Sequence, residues 1–103
     1  MKINNLKNLP LTGIKVIDAA SYIAAPLVSA LMTDYGAEVI KIEPHSGDTY
    51  RDAVKGGHVW PESDIDWAFI LENRNKRSLS IDLKTKEGQI ILKKLVEEAD
   101  VLV

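Results

Sequence analysis

The chain has 103 residues, of which 46% are hydrophobic, so it contains enough apolar material for one small domain with a core. A formal net charge of −2 excludes the strongly basic face expected of a nucleic-acid-binding protein, and the absence of cysteine excludes disulfides and thiolate catalysis. No apolar run reaches the length that crosses a bilayer, so a cytoplasmic protein without a membrane partner is the simplest interpretation.

The first half of the chain has the pattern of a strand, a helix and a second strand. Ile14–Asp18 is a short β-branched run that predicts a buried strand. Apolar residues at helical spacing predict a helix over Ala24–Tyr35, with Pro26 in its first turn and Gly36 just beyond its end. A second strand is predicted over Glu38–Glu43. A connection of this length most often joins two parallel strands.

A polar stretch over about 44–66, punctuated by proline and glycine, predicts a long loop. A short helical turn is predicted over Asp66–Glu72. The alternation in Ser78–Leu83 predicts a third strand, with Leu79, Ile81 and Leu83 on one face.

The last part of the chain predicts a helix and the start of another strand. The helix is expected over Lys86–Ala99, with Thr85 as its N-cap. Its predicted apolar stripe consists of Ile91, Leu92, Leu95, Val96 and Ala99. Val101–Val103 reads as the beginning of a buried strand. Because natural domains rarely stop in the middle of a strand, we expect a truncated chain. The order of elements indicates an α/β fold with a parallel sheet and flanking helices, here incomplete.

The loop after the first strand lies where an α/β fold can bind a nucleotide. Residues 19–26 contain no glycine, whereas the dinucleotide fingerprint requires glycines for close approach of the pyrophosphate. Glu43 stands where such folds place a ribose-binding acid, but without the glycines this is a weak indication. The small side chains of the loop leave room for a phosphate or carbonyl oxygen, or allow close packing of helix on strand, and both interpretations stay open.

Several charged residues have a functional and a structural interpretation. The basic cluster Arg74–Arg77 could grip phosphates, although a solvated turn is favoured. Lys84 stands next to the predicted cap of a helix, where it could hold an anion or face water. Asp18 could be a general base, although a cap of the following loop is favoured. His45 and His58 have no partners at ligand spacing, so no metal is expected.

At the level of residue strings, the chain resembles the N-terminal part of the family III CoA-transferases. This family includes the formyl-CoA and carnitine CoA-transferases and the alpha-methylacyl-CoA racemases. The matching segments cover nearly the whole chain and lie in order: Pro10–Asp18, Ala24–Pro26, Asp34–Pro44, Gly47–Asp48, Arg51, Asn73–Ser78, Asp82–Lys84, Glu87–Gly88 and Ala99–Val101.

The resemblance implies a Rossmann-like large domain, coenzyme A as the bound molecule, and acyl-CoA and organic acids as substrates. It also implies an interlocked homodimer in full-length members and an aspartate nucleophile that forms an aspartyl-CoA thioester. That aspartate is expected beyond residue 103, so the chain alone is expected to hold part of the CoA-binding region and to be inactive. The racemase branch and a non-catalytic, truncated CoA-binding module are the alternatives.

The resemblance also implies positions for CoA contacts. Where the family often has an arginine after the second strand, this chain has Pro44, so that contact is not expected here. Lys84 is the side chain most expected to contact CoA. The complete set of implied CoA-binding residues is Ile23, Ala24, Ile81, Asp82, Leu83 and Lys84.

Overall fold

The chain forms a parallel α/β sheet with helices on both faces. The computed structural model describes residues 9–52 and 65–103. Within these ranges the strands are β1 (Lys15–Asp18), β2 (Glu38–Glu43), β3 (Arg77–Ser80) and β4 (Val101–Leu102). The helices are α1 (Ala24–Asp34), α2 (Trp67–Asn73) and α3 (Lys86–Glu97), and a 3-10 turn covers Thr49–Asp52.

The four described strands are hydrogen-bonded in the order β3-β2-β1-β4, and every neighbouring pair is parallel. The parallel β1–β2 pair expected from the sequence is therefore confirmed. β2 and then β3 lie on one side of β1, whereas β4 lies on its other side. The strand order therefore reverses beside β1. In open α/β sheets, ligands bind at the carboxyl ends of the strands near such a reversal.

Alternate residues of the central strands face two separate apolar clusters. One face, centred on Val16 and Val39, packs against Met32 of α1, and α1 in turn packs against α2. The other face, centred on Ile17 and Ile42, packs against α3. The α3 side contributes Leu92, Leu95, Val96 and Ala99 to that cluster. Four of the five residues predicted as the apolar stripe of α3 thus pack on the sheet, whereas the fifth, Ile91, is 45% exposed.

The predicted bounds of α1 and β2 agree closely with the structure. β2 covers the predicted residues, and α1 ends at Asp34, one residue before the predicted end. Gly36 has a φ of +101°, a conformation that favours glycine, and a Cβ there would lie 2.8 Å from Cβ of Leu9. Pro26 is buried within the first turn of α1, as expected.

The third strand differs from its prediction. It ends at Ser80, so the segment from Ile81 to Lys84 connects β3 to α3 and is not part of the strand. Leu79 is 36% exposed and does not share a buried face with Ile81, which is 5% exposed. The physical reason is that β3 lies at the edge of the sheet formed by the described strands, and the chain turns away after the last ladder bond, from Ile81 N to Glu43 O at 2.8 Å.

The predicted long loop is described only in part. Its first residues form a turn and the 3-10 segment Thr49–Asp52, and positions 53–64, which include His58, lie outside the described residues. The helical turn predicted over Asp66–Glu72 is the helix α2, which begins after the N-cap Asp66 and ends one residue beyond the prediction, at Asn73.

Candidate functional site

The predicted site residues lie at one edge of the sheet, in two groups. Ile23 and Ala24 stand at the start of α1, after the carboxyl end of β1, and both are exposed. Residues 81–84 follow the carboxyl end of β3. Because β2 lies between β1 and β3, the two strand ends are about 10 Å apart, which is two strand spacings. The structure thus places the groups on the same edge, on either side of β2.

A groove opens where β3 passes into α3. Its volume is about 410 Å³, within the range of small-molecule sites. Of the predicted residues, Ile81 and Asp82 line it, whereas Ile23, Ala24, Leu83 and Lys84 are outside its wall. The other lining residues, which were not predicted, are His45, Leu79, Ser80, Thr85, Glu87, Gly88 and Ile91.

The floor of the groove is the tightly bonded turn that begins α3. Thr85 is the N-cap, as predicted: its hydroxyl accepts a hydrogen bond from Gly88 N at 3.0 Å and donates one to Asp82 O at 2.8 Å. The carboxylate of Asp82 accepts a hydrogen bond from Lys84 N at 2.9 Å. The turn therefore fixes the positive end of the α3 dipole beside the groove, an arrangement that favours anions. Glu87 adds a carboxylate to the same wall.

His45 closes the other side of the groove. It follows β2, and its Nδ1 lies 2.7 Å from the hydroxyl of Ser80 at the end of β3. The two side chains link the carboxyl ends of β2 and β3. Among the described residues, no group of three or more carboxylate or imidazole side chains is arranged to hold a metal ion.

The three cations of the basic cluster each lie near a carboxylate. Arg74 pairs with Asp34 at 2.5 Å, and Arg77 lies 3.7 Å from Glu38. Lys76 is almost completely buried, with Nζ 2.7 Å from Asp18 Oδ2. The favoured interpretation of a solvated turn is therefore wrong for Lys76, because its ammonium group is enclosed between β1, α1 and α2.

Asp18 has the structural role that was favoured for it. One carboxylate oxygen accepts a hydrogen bond from Ala20 N at 3.0 Å, which caps the loop after β1. The other accepts one from the hydroxyl of Ser29 at 2.6 Å and one from Lys76. The side chain is 0% exposed. A carboxylate that is sealed off and fully bonded in this way is not available as a general base for a bound ligand.

A second buried ion pair lies under the loop between β1 and α1. Lys41 Nζ is 2.8 Å from Asp48 Oδ2, and each side chain is 2% exposed. Burial raises the pKa of Asp48, but hydrogen bonds from Lys41 and from backbone N–H groups outweigh it and leave the pKa below its usual value. Tyr22, in the loop above, has a φ of 73°, which costs a non-glycine residue about 1–2 kcal/mol.

Glu43, which stands where dinucleotide-binding folds place a ribose-binding acid, is instead bound by Arg51. The guanidinium group forms two hydrogen bonds to the carboxylate, of 2.8 and 2.7 Å. Asp48 N and the hydroxyl of Ser78 donate two more, each of 3.0 Å. With four donors, the carboxylate has no capacity left for a ribose. Arg51 and these further bonds lower the pKa of Glu43 from 4.5 to about 2, in spite of its burial.

This lowered pKa predicts a loss of stability in acid. Between pH 4.5 and about 2 the unfolded chain binds a proton at Glu43 that the folded chain does not. The stabilisation is therefore complete above pH 4.5 and falls as the pH approaches 2. We expect it to be about 1–3 kcal/mol, because 2.5 pH units correspond to roughly 3 kcal/mol and solvent around the half-exposed Arg51 screens the pair.

Denaturant unfolding at a series of pH values measures this dependence. Glu43→Gln should lower the free energy of unfolding at pH 7 and flatten its decrease between pH 4.5 and 2. Glu97→Gln, which changes an exposed carboxylate on α3, serves as the control and should leave the decrease unchanged. A decrease of the same size in Glu43→Gln and in the unmodified chain would contradict the role of Glu43.

The ion pairs Lys41–Asp48 and Arg51–Glu43 were not predicted, because the pattern of apolar residues does not show which charged side chains pair. Lys41 interrupts an apolar strand, and Asp48 and Arg51 were noted only as parts of a matching string. A signal was nevertheless present: strands of a parallel sheet are usually buried on both faces, so a lysine inside one needs a buried acceptor. The partner of that lysine follows only seven residues later.

Comparison with known proteins identifies a family and several relatives. The model of CoA-transferase family III matches residues 11–103. A (R)-2-hydroxy-4-methylpentanoate CoA-transferase of Clostridioides difficile is 49% identical over 94 residues, which are 90% of this chain and 23% of that protein. The alpha subunit of a succinyl-CoA–L-malate CoA-transferase of Chloroflexus aurantiacus is 39% identical over 94% of this chain and 22% of its own length.

The fold comparison gives the same result. The crystal structure of a CAIB/BAIF family protein from Brucella suis superimposes with a TM-score of 0.78 at 38% identity, covering 92% of this chain and 25% of that one. The chain therefore spans about a quarter of the length of the relatives it matches. In the part of the chain that the structure describes, no helix is long and apolar enough to cross a membrane.

Proposed function

The chain belongs to CoA-transferase family III, and on this basis we propose that it provides part of the CoA-binding region of an enzyme that transfers CoA between carboxylic acids. The observation that carries the proposal is the groove at the carboxyl edge of the sheet, between β3 and the start of α3. It contains two of the six positions implied as CoA contacts, and the other four lie on the same edge.

The chemistry of the groove suits the nucleotide end of CoA. Leu79, Ile81 and Ile91 offer an apolar surface on which a base can pack, and the carboxylates of Asp82 and Glu87 can accept hydrogen bonds from hydroxyl or amino groups. The same carboxylates would repel phosphates inside the groove. The phosphates are therefore assigned to its rim, where Lys84 is exposed next to the N-cap of α3.

The second group of positions extends the same edge toward the start of α1. Ile23 and Ala24 are exposed there, and α1 begins without a side chain that caps its N-terminal N–H groups. These free donors can bind a carbonyl or phosphate oxygen. A ligand that reaches from the groove across the end of β2 would contact both groups, which fits an elongated molecule such as CoA.

The covalent step of the proposed reaction is assigned to an aspartate outside the described residues. Attack by its carboxylate on the acyl-CoA would form an acyl anhydride and release the CoA thiolate. Attack of this thiolate on the aspartyl carbonyl of the anhydride would then form the aspartyl-CoA thioester and release the donor acid as its carboxylate. Six of the aspartates in the described ranges are poor candidates because they have structural partners: ion pairs hold Asp18, Asp34 and Asp48, and backbone N–H groups bind Asp66, Asp82 and Asp100.

Calorimetric titration of the purified chain with CoA tests the proposal. Saturable binding is expected, and Lys84→Ala should weaken it roughly fivefold, since an exposed charge-assisted contact is worth about 1 kcal/mol. The difference between the two proteins should shrink at high salt, because exposed charges are screened. Acetyl-CoA should give the same Lys84 effect, because the substitution is far from the thiol end of the ligand.

Lys93→Ala is the matched control, since it removes an exposed lysine from α3, away from the groove. It should bind CoA as the unmodified chain does. If a demonstrably folded chain shows no binding, the proposed function of this region is wrong. If both lysine variants lose affinity equally, the contact is general electrostatic attraction and not a site at Lys84.

A further inference from the structure

The loop that leads from β1 into α1 is held from below by the ion pair of Lys41 and Asp48. Besides contacting each other, the two side chains each reach the loop backbone. Lys41 Nζ donates a hydrogen bond to Ala20 O at 3.0 Å, and Asp48 Oδ1 accepts one from Tyr22 N at 3.3 Å. One buried pair thus binds an oxygen and a nitrogen that are two residues apart in the same loop.

The loop needs such support because of its conformation. Tyr22 has a positive φ, which tyrosine rarely adopts unless its surroundings impose it. Its ring packs on that of Tyr50, with centroids 5.0 Å apart, and Tyr50 N donates to Asp48 Oδ1 at 2.9 Å. Asp48 therefore fixes both the backbone of Tyr22 and the residue on which its ring rests. The residues that follow directly are Ile23 and Ala24.

We propose that Lys41 and Asp48 are positioning residues, which hold the β1–α1 loop in the conformation that presents Ile23 and Ala24 to the ligand. The identity of the ligand as CoA rests on the proposed function, whereas the effect on the loop does not. Neither side chain touches the ligand, since both are buried beneath the loop. Their contribution is to keep the loop ready for binding, so that the ligand need not order it.

A buried ion pair can also be merely structural, and a double substitution separates the two roles. Lys41→Met or Asp48→Asn alone leaves one buried charge unpaired and should lower the melting temperature. The double variant K41M/D48N has no buried charge, and Asn keeps an oxygen for Tyr22 N. Its melting temperature should recover, because uncharged residues of similar volume replace buried pairs at little or no loss. The hydrogen bond to Ala20 O stays absent.

If the pair positions the loop, CoA affinity should not recover with the melting temperature in the double variant. A fall of the binding-competent loop population to about one tenth would raise the dissociation constant about tenfold. Amide resonances of residues 20–24 should also shift and exchange faster with solvent than in the unmodified chain. Recovery of affinity and of these resonances together with the melting temperature would overturn the proposal. The exposed pair offers a control: R77M/E38Q should change neither affinity nor loop resonances.

Two further measurements keep the test decisive. If the unmodified chain does not bind CoA, the proposed function fails, but the amide resonances still report whether the pair holds the loop. Should the double variant fail to fold, hydrogen exchange in the unmodified chain decides: Tyr22 N–H should be as protected as the amides of β2. If the Tyr22 N–H of the unmodified chain exchanges as fast as a solvent-exposed loop amide, the proposal is overturned, and no variant is needed for this result.

Discussion

Gly88→Ala is expected to destabilise the chain by about 3 kcal/mol, or to force α3 away from the sheet. A Cβ at this position would lie 2.0 Å from the carbonyl oxygen of Asp82 and 2.9 Å from Cγ2 of Ile81. The nearest atom belongs to the backbone, so no flexible side chain can move aside. In an ordinary helix the same substitution would stabilise the protein by about 1 kcal/mol. A loss of stability would therefore indicate the close contact between position 88 and the backbone of Asp82.

Denaturant unfolding of Gly88→Ala beside Lys93→Ala, an exposed change on the same helix, measures this effect. The control should lie within about 0.5 kcal/mol of the unmodified chain. Because Gly88 also lines the groove, any folded fraction of the alanine variant should bind CoA more weakly. An unfolding midpoint equal to or above that of the unmodified chain would show that α3 does not approach the β3–α3 turn as closely as described.

Lys76→Met is expected to destabilise by about 3–5 kcal/mol, the usual effect of breaking a buried ion pair from one side. Lys76 Nζ lies 2.7–2.9 Å from four oxygens, which belong to Asp18, Pro26, Glu72 and Asn73. Its removal leaves the carboxylate of Asp18 charged and 0% exposed. It also frees the carbonyl of Pro26 in α1 and that of Glu72 in α2, so the contact between the two helices should loosen as well.

The exposed pair of Arg77 on β3 and Glu38 on β2 serves as the control. Arg77→Met removes a contact of 3.7 Å between side chains that are 69% and 61% exposed, and should change stability by less than about 1 kcal/mol. The double variant D18N/K76M should recover part of the loss. Burial lowers the pKa of Lys76 and outweighs the opposing effect of Asp18, so desolvation of the ammonium is not fully compensated. Equal stability of Lys76→Met and Arg77→Met would contradict the role of Lys76.

The order of the elements could be predicted from the sequence because each one carries a local signal. β2 is a short apolar run stopped by a proline, and α3 has a cap and an apolar stripe at helical spacing. β3 was predicted less well. Its alternation continues beyond Ser80, but the strand ends where β2, its only neighbour among the described strands, ends. That limit is set by pairing and not by local sequence.

The candidate site could be predicted only in part, for a similar reason. Ligand binding at the carboxyl edge of a parallel sheet is a general expectation, and the resemblance to a family predicted contact residues that lie on this edge. The groove, however, depends on His45 meeting Ser80, which is 35 residues away, and the basic cluster depends on Lys76 meeting Asp18, 58 residues away. Residue types and spacing do not determine which charged side chain turns inward when several stand in a row.

The place of β4 in the sheet has a consequence for synthesis. β1 binds β2 on one side and β4 on the other, and the bond from Lys15 N to the carboxylate of Asp100 joins residues 85 positions apart. A ribosome adding about 5–20 residues per second would need roughly 4–17 s to make that stretch. During this time β1 and β2 can already pair, while the other edge of β1 stays open. The nascent chain therefore carries an unpaired strand that a chaperone could protect and that a neighbouring chain could capture.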